Sequence, residues 1–426
     1  MKQYTAIVIG AGGRGTTYTN IMEKTPEKFK VVGVAEPIAD RRNYIVEKHG
    51  IPAENVYDTW ETILDRPKFA DVAIISTMDR MHKDPAIKAI ELGYNLLLEK
   101  PVAPTPEDCA EILKAAREKG VKIMVCHVLR YTSAFRSLKK YIKDGLVGEV
   151  VSVNHLESVG YAHQSHSFVR GNWGNSEESS PMLLQKSCHD IDILQWLLDK
   201  ECKRVQSFGS LRHFVKENAP ADAPERCADG CPHKDECLYH TDRIYKSNLP
   251  GFWFKSHVAD TKTPTDEQID EALATKQYGK CVYKCNNDVV DHQVVNMEFE
   301  DGITVSFTMT AFANFGRQIR IMGTKGELWA NVEHAEADLF DYASGKTTKL
   351  PLNAAGVDSS IAGGHGGGDT GIISVLYEYL DDGVEMEEVS EIEVSCKNHM
   401  IVFAAEEARN SGTVVDVAKY YNSFIG

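Results

Sequence analysis

Two patterns of apolar placement divide the chain. In the first third, short apolar runs at residues 4–9, 30–35, 71–76, 96–99 and 122–126 alternate with helix-compatible stretches such as 83–92 and 106–119. Runs of that length between helical patterns are strands buried on both faces. The β-α-β-α order predicts a doubly wound, parallel α/β sheet over residues 1–127. From about Gly148 the period becomes two. Residues 303–312 are apolar at every second position for most of their length, the signature of an antiparallel strand with one buried face. Residues 150–156, 203–210, 289–299, 317–322 and 327–332 read alike. Together with a helix at 188–198 they predict an α+β domain over residues 128–426. Its sheet is large, open and mainly antiparallel, and the strand pattern breaks at about 217–280, which reads as an insertion.

Composition narrows the function. A chain of 426 residues exceeds one ordinary core, so two domains are expected. The formal charge of −15 disfavours nucleic acid and anionic membranes. No apolar run reaches the length of a membrane span. The first strand follows Met1-Lys2-Gln3 directly, so a cytoplasmic location is expected. Ten cysteines are then expected as thiols or metal ligands.

The first strand runs into Gly10-Ala11-Gly12-Gly13-Arg14-Gly15, a G-x-G-x-x-G fingerprint opening a helix. The first glycine permits the turn, the second admits a pyrophosphate, and the third lets helix pack on strand. Glu36 ends the second strand about twenty residues on, where a carboxylate accepts from ribose hydroxyls and repels a 2′-phosphate. NAD is therefore the expected cofactor. Arg41 and Arg42 leave a second reading open, as 2′-phosphate ligands or as the solvated face of a helix. Ligands of such sheets lie beyond the carboxyl ends of the strands, which gathers Thr77, His82, Glu99, Lys100 and His127 at one crevice. His82 also reads as a cap for the helix after it.

Gly10, Gly12 and Gly15, Glu36, Glu99-Lys100-Pro101 and His189-Asp190-Ile191-Asp192 together resemble the glucose-fructose oxidoreductase and inositol dehydrogenase family, Gfo/Idh/MocA, over nearly the whole chain. The resemblance implies a Rossmann domain, an α+β domain with an open sheet, and a nicotinamide dinucleotide between them. It further implies hydride transfer at a hydroxyl carbon of a sugar or polyol, with Lys100 hydrogen-bonding that hydroxyl and His189 as the family histidine. The chemistry agrees, because hydride leaves an alcohol carbon only as a base takes the hydroxyl proton. An ammonium beside the developing alkoxide stabilises it. As a plain alternative, His189 is a core residue beside Ile191 and Leu194. One departure stands out: the family aspartate four residues before the histidine is Gln185 here. Lys186 is the neighbouring ionisable group and joins the expected catalytic set.

Residues 155–173 are rich in polyol-binding chemistry. Glu157, Tyr161, His163, His166, Arg170 and Trp173 are the expected substrate contacts, with Asp192 and His365 further along; each also reads as structural. Asp369 reads equally as a site residue or a helix N-cap. Within the insertion, Cys227, Cys231 and Cys237 cluster, and Cys281 or Cys285 supplies a fourth thiol. Structural zinc is the expectation, with an iron–sulfur cluster or free thiols as alternatives. Three functions remain open: an NAD-dependent oxidoreductase on a sugar, glycoside or polyol; an NAD-dependent glycosidase working by transient oxidation and elimination; and a silent NAD(H) sensor. The open sheet suits a homodimer or homotetramer.

Overall fold

A computed structural model describes residues 2–247, 252–261, 263–314, 316–334, 336–353 and 365–425, apart from the side chains of residues 252, 253 and 365. The apolar runs form β1 (Tyr4–Ile9), β2 (Phe29–Ala35), β4 (Val72–Ile75), β5 (Asn95–Leu98) and β6 (Ile123–Val125), with a two-residue β3 (Val56–Tyr57) at the edge. They pair in parallel in the order β3-β2-β1-β4-β5-β6. Every residue of β4 is fully buried, as parallel strands covered on both faces must be. Strand order reverses between β1 and β4, so the crevice opens at the end of β1, where the glycine run begins.

The second sheet holds β7 (Val150–Ser158), β8 (Cys202–Ser210), β9 (His292–Phe299), β10 (Thr304–Thr310), β11 (Gly316–Gly323), β12 (Gly326–Asn331), β13 (Glu336–Asp341), β14 (Lys346–Pro351) and β15 (Val415–Asp416). Their order is β14-β13-β12-β11-β7-β10-β9-β8-β15. All pairs are antiparallel except β10 with β7. The expectation for residues 303–312 is thus corrected on one side: alternation reports an open face, not the direction of each neighbour. The helices Cys188–Leu198 and Ile392–Ser411 cover the apolar face, and Phe208, Trp329 and Phe340 stand exposed.

The two halves share packing. The helix Gly368–Leu380, far along the chain, lays Ile372, Ile373 and Leu376 into the same apolar cluster as Tyr4, Val8 and Val34. Tyr377 meets the rings of Tyr4 and Phe29 edge-on, with centroids 5.8 Å apart in both pairs. The segment between β8 and β9, read above as an insertion, builds a small cluster of its own from Tyr245, Phe254, Val258, Ile269 and Leu273. Among the described residues no helix is long and apolar enough to cross a membrane.

Candidate active site

The glycine loop is shaped for close approach. Gly10 has φ +89°, and a Cβ there would fall 2.6 Å from the Ser76 carbonyl oxygen. At Gly15 a Cβ would sit 2.1 Å from the Gly10 carbonyl oxygen, so only glycine lets helix meet strand. Gly12 differs, with no atom within 4 Å of its Cβ position. That open space lies at the N-terminus of the helix Gly13–Glu23, which has no side-chain cap, so its unpaired amides face the place a pyrophosphate needs. These residues fit a dinucleotide. Buried Glu36 accepts from the Ala11 amide at 2.7 Å and the Ile38 amide at 3.0 Å, tying the second strand to the loop. Arg42 pairs with Asp58 at 2.9 Å, and Arg41 with Asp260 of the insertion at 3.1 Å.

Arg14 and Glu99 turn toward each other. Arg14 Nε lies 2.7 Å from Glu99 Oε1, and its Nη2 lies 2.6 Å from Asp369 Oδ1. Burial raises the Glu99 carboxyl, but Arg14 and then Lys100 outweigh it and hold the group below its usual range. Asp369 therefore joins the halves through Arg14, while Gly367 takes the N-cap position. The side chain of His365 lies outside the described residues.

Lys100 reaches the second domain, where its Nζ donates to the Gln185 carbonyl oxygen at 2.7 Å. Gln185 ends the short helix Met182–Gln185, and four residues later His189 lies buried in the first turn of the helix Cys188–Leu198. The His189 ring stands 5.8 Å from that of His127, which lies 5.6 Å from that of His399. Burial pushes His127 down to about 4 and His399 to about 3. His82 is enclosed between carbonyls, with Nδ1 2.7 Å from Pro101 O and Nε2 3.1 Å from Thr77 O. It holds the strand-end loops together, and Thr77 Oγ1 donates within its own loop to Met81 O at 2.9 Å.

A chain of charges runs beneath. Lys186 pairs with Glu157 at 3.0 Å, Glu157 with Arg317 at 3.0 Å, Arg317 with Asp190 at 2.7 Å, and Asp190 with His155 at 2.8 Å. Burial raises Asp190, yet Arg317 and His155 hold it well below the carboxylate range. Sheet register explains the meeting, because Arg317 on β11 is the direct partner of Glu157 on β7. Asp192 is committed elsewhere: Arg130 grips it with two bonds of 2.7 and 2.6 Å, and Asn398 donates at 2.6 Å.

The other expected substrate contacts separate. Burial, then Lys186, His166 and Lys100, holds His163 far below its ordinary range, and its ring lies 5.5 Å from that of Phe168. His166 stacks between Phe254 at 4.2 Å and Tyr278 at 5.1 Å, inside the insertion contact. Tyr161 packs on the same cluster, and its ring lies 6.2 Å from that of Tyr239. Arg170 is buried and donates to the carbonyls of Lys280 and Tyr239, each at 2.8 Å. Trp173 Nε1 donates to Asp79 Oδ1 at 3.4 Å and Ser180 Oγ to Asp79 Oδ2 at 3.1 Å, which ties this segment to the loop after β4.

The metal expectation is corrected. Among the described residues no three of His, Cys, Asp and Glu come together to hold an ion, and Cys227, Cys231, Cys237 and Cys281 are free thiols. The Arg170 guanidinium stands 3.9 Å from Cys227 Sγ, one of the thiols expected as a ligand. Sequence reasoning missed Asp79, Arg130, Arg317 and Asp260. Arg317 carried a readable signal, a charge in register with the apolar positions Ile319 and Ile321 of its strand. The partners of Asp79 and Asp260 are distant in sequence and carried none.

A doubly wound domain with an open glycine loop, set against an open-sheeted domain that brings a histidine helix to its strand ends, defines a dinucleotide-binding oxidoreductase. The chain belongs to the Gfo/Idh/MocA oxidoreductase family: the family's NAD-binding Rossmann fold matches residues 5–127 and its C-terminal alpha/beta domain residues 139–348. It is 24% identical over 371 residues to YteT of Bacillus subtilis (strain 168), named as an oxidoreductase, covering 84% of each chain. It is 31% identical over 198 residues to the 2,7-anhydro-N-acetylneuraminate hydratase of Mediterraneibacter gnavus, 46% of this chain and 50% of that one. Levoglucosan dehydrogenase in complex with NADH and levoglucosan shares the fold, with a TM-score of 0.69 at 19% identity over 98% of this chain and 100% of that one.

Proposed function

We propose that the protein is an NAD-dependent oxidoreductase acting at a hydroxyl carbon of a sugar, glycoside or polyol. The observation that carries this is the 2.7 Å contact of Lys100 Nζ with Gln185 O, which sets the strand-end lysine beside the turn leading into His189. When bound, the dinucleotide supplies the hydride acceptor. Lys100 holds the substrate hydroxyl and stabilises negative charge on its oxygen, and His189 takes the proton. Glu36, with its carboxylate at the tip of the glycine loop, supports NAD over NADP. The exposed Phe208, Trp329 and Phe340 support pairing of the open sheet with a second copy. Screening sugars, glycosides and polyols with NAD, while following NADH absorbance, tests the reading. Absence of NADH formation on every substrate that is converted would overturn it.

One observation favours a second reading, transient oxidation followed by elimination or hydration. The Lys186–Glu157 pair adds an acid and a base near the histidine helix, as a step at the neighbouring carbon requires. The similarity to a hydratase supports the same reading. Product formed with no net NADH, and with solvent deuterium incorporated at carbon, would select it.

A further inference from the structure

The insertion reaches the cofactor domain. Its helix Phe252–Ala259 ends at Asp260, whose φ of 54° stops the helix in the left-handed region that Asp and Asn tolerate best. Asp260 Oδ1 lies 3.1 Å from Arg41 Nη2, and Asp260 Oδ2 lies 2.8 Å from Lys276 Nζ. Lys276 also donates to the Val258 carbonyl at 3.1 Å, so the carboxylate is held in place from its own side. One residue of the same helix, His257, stands 3.7 Å from the Cβ position of Gly13, which puts the insertion over the first turn of the glycine-loop helix.

Arg41 lies in the first turn of the helix Ala39–His49, directly after Glu36. An arginine in that position is the group that accommodates a 2′-phosphate when it is free to do so. Its neighbour Arg42 is already engaged by Asp58 and by the Glu36 carbonyl. Of the two arginines in this turn, Arg41 is therefore the one whose charge depends on the insertion, through a carboxylate it shares with Lys276.

We propose that Asp260 is a cofactor-specificity residue: carried in on the insertion, it neutralises Arg41 and so withholds the cation that a 2′-phosphate needs. The inference rests on the NAD reading above and assigns part of that preference to a residue outside the Rossmann domain. The pair is half exposed, so its strength is that of a surface ion pair and the effect is modest.

The test is fluorescence titration of NADH and NADPH on the full chain, with binding alone as the readout. In Asp260→Asn, which keeps a residue suited to the left-handed backbone, the affinity ratio of NADPH to NADH should rise about two- to fivefold. Adding Arg41→Ala should abolish that gain. Arg41→Ala in the otherwise unchanged protein should lower that ratio by less than it does in the Asp260→Asn background, because the Asp260 carboxylate already engages the arginine. An unchanged ratio in Asp260→Asn, a gain that survives loss of Arg41, or an equal effect of Arg41→Ala in both backgrounds would each overturn the role of Asp260. Unsubstituted protein that binds NADPH more tightly than NADH would overturn the NAD reading itself.

Discussion

Lys186 Nζ lies 3.0 Å from Glu157 Oε1, so the lysine beside the histidine helix is held by a carboxylate on the central strand of the open sheet. Arg317 holds the other oxygen of the same carboxylate at 3.0 Å. The substitution of Gln185 for a family aspartate thus does not leave the helix without acidic company. Glu157 brings the charge from the sheet instead of from the preceding turn.

Glu157→Gln should lower turnover about 10- to 100-fold if Lys186 serves as an acid or base, because the lysine then loses the carboxylate that holds it at 3.0 Å. The pH–rate profile should shift at the same time. Steady-state kinetics across pH checks both, and an unshifted profile would assign Glu157 to structure.

His189→Ala should reduce turnover by about 10²- to 10⁴-fold, the range for loss of a positioned base, with dinucleotide affinity nearly unchanged. Stopped-flow kinetics beside NADH titration separates the two quantities. Near-normal turnover would move the base to Lys186 or His163 and favour the elimination chemistry.

Arg130→Met should destabilise the fold by about 3–5 kcal/mol, because it strands the fully buried Asp192 carboxylate with Asn398 as its remaining partner. Urea denaturation followed by circular dichroism reads this directly. A cost below about 1 kcal/mol, the value of a surface pair, would contradict the burial of the pair.

Stability should fall as pH drops from about 6.5 toward 4. His127 has an ordinary value of 6.5 and is pushed by burial to about 4 in the folded chain, so across that window the unfolded chain binds the extra proton. Its contribution is complete above 6.5 and declines by about 1.4 kcal/mol per pH unit below. His399, held at about 3, adds a slope of the same sign. In His127→Phe the pH dependence should flatten, which chemical denaturation at several pH values will show.

The architecture was readable where burial follows a simple rule. Fully apolar runs gave β1, β2, β4, β5 and β6, and period-two stretches gave β7 to β12, because both patterns report which faces meet water. β14 was not readable, since almost every residue from Lys346 to Pro351 is exposed and no face alternates. The site was legible in the same proportion. Gly10, Gly15, Glu36 and Lys100 sit where local spacing puts them. Arg130 on Asp192, Arg14 on Asp369 and Asp260 on Arg41 meet only through tertiary packing, which no local pattern encodes. The cysteines show the converse error, since sequence proximity suggested a ligand set that the described residues do not assemble.

The central claim is that Lys100 acts on the substrate hydroxyl and not on the dinucleotide. Measuring turnover and NADH affinity of Lys100→Met on one substrate tests it most directly. The account expects turnover to fall by at least about 100-fold while the NADH dissociation constant changes less than about threefold. Turnover within a few-fold of the unsubstituted protein, or a loss explained entirely by weakened NADH binding, would contradict it.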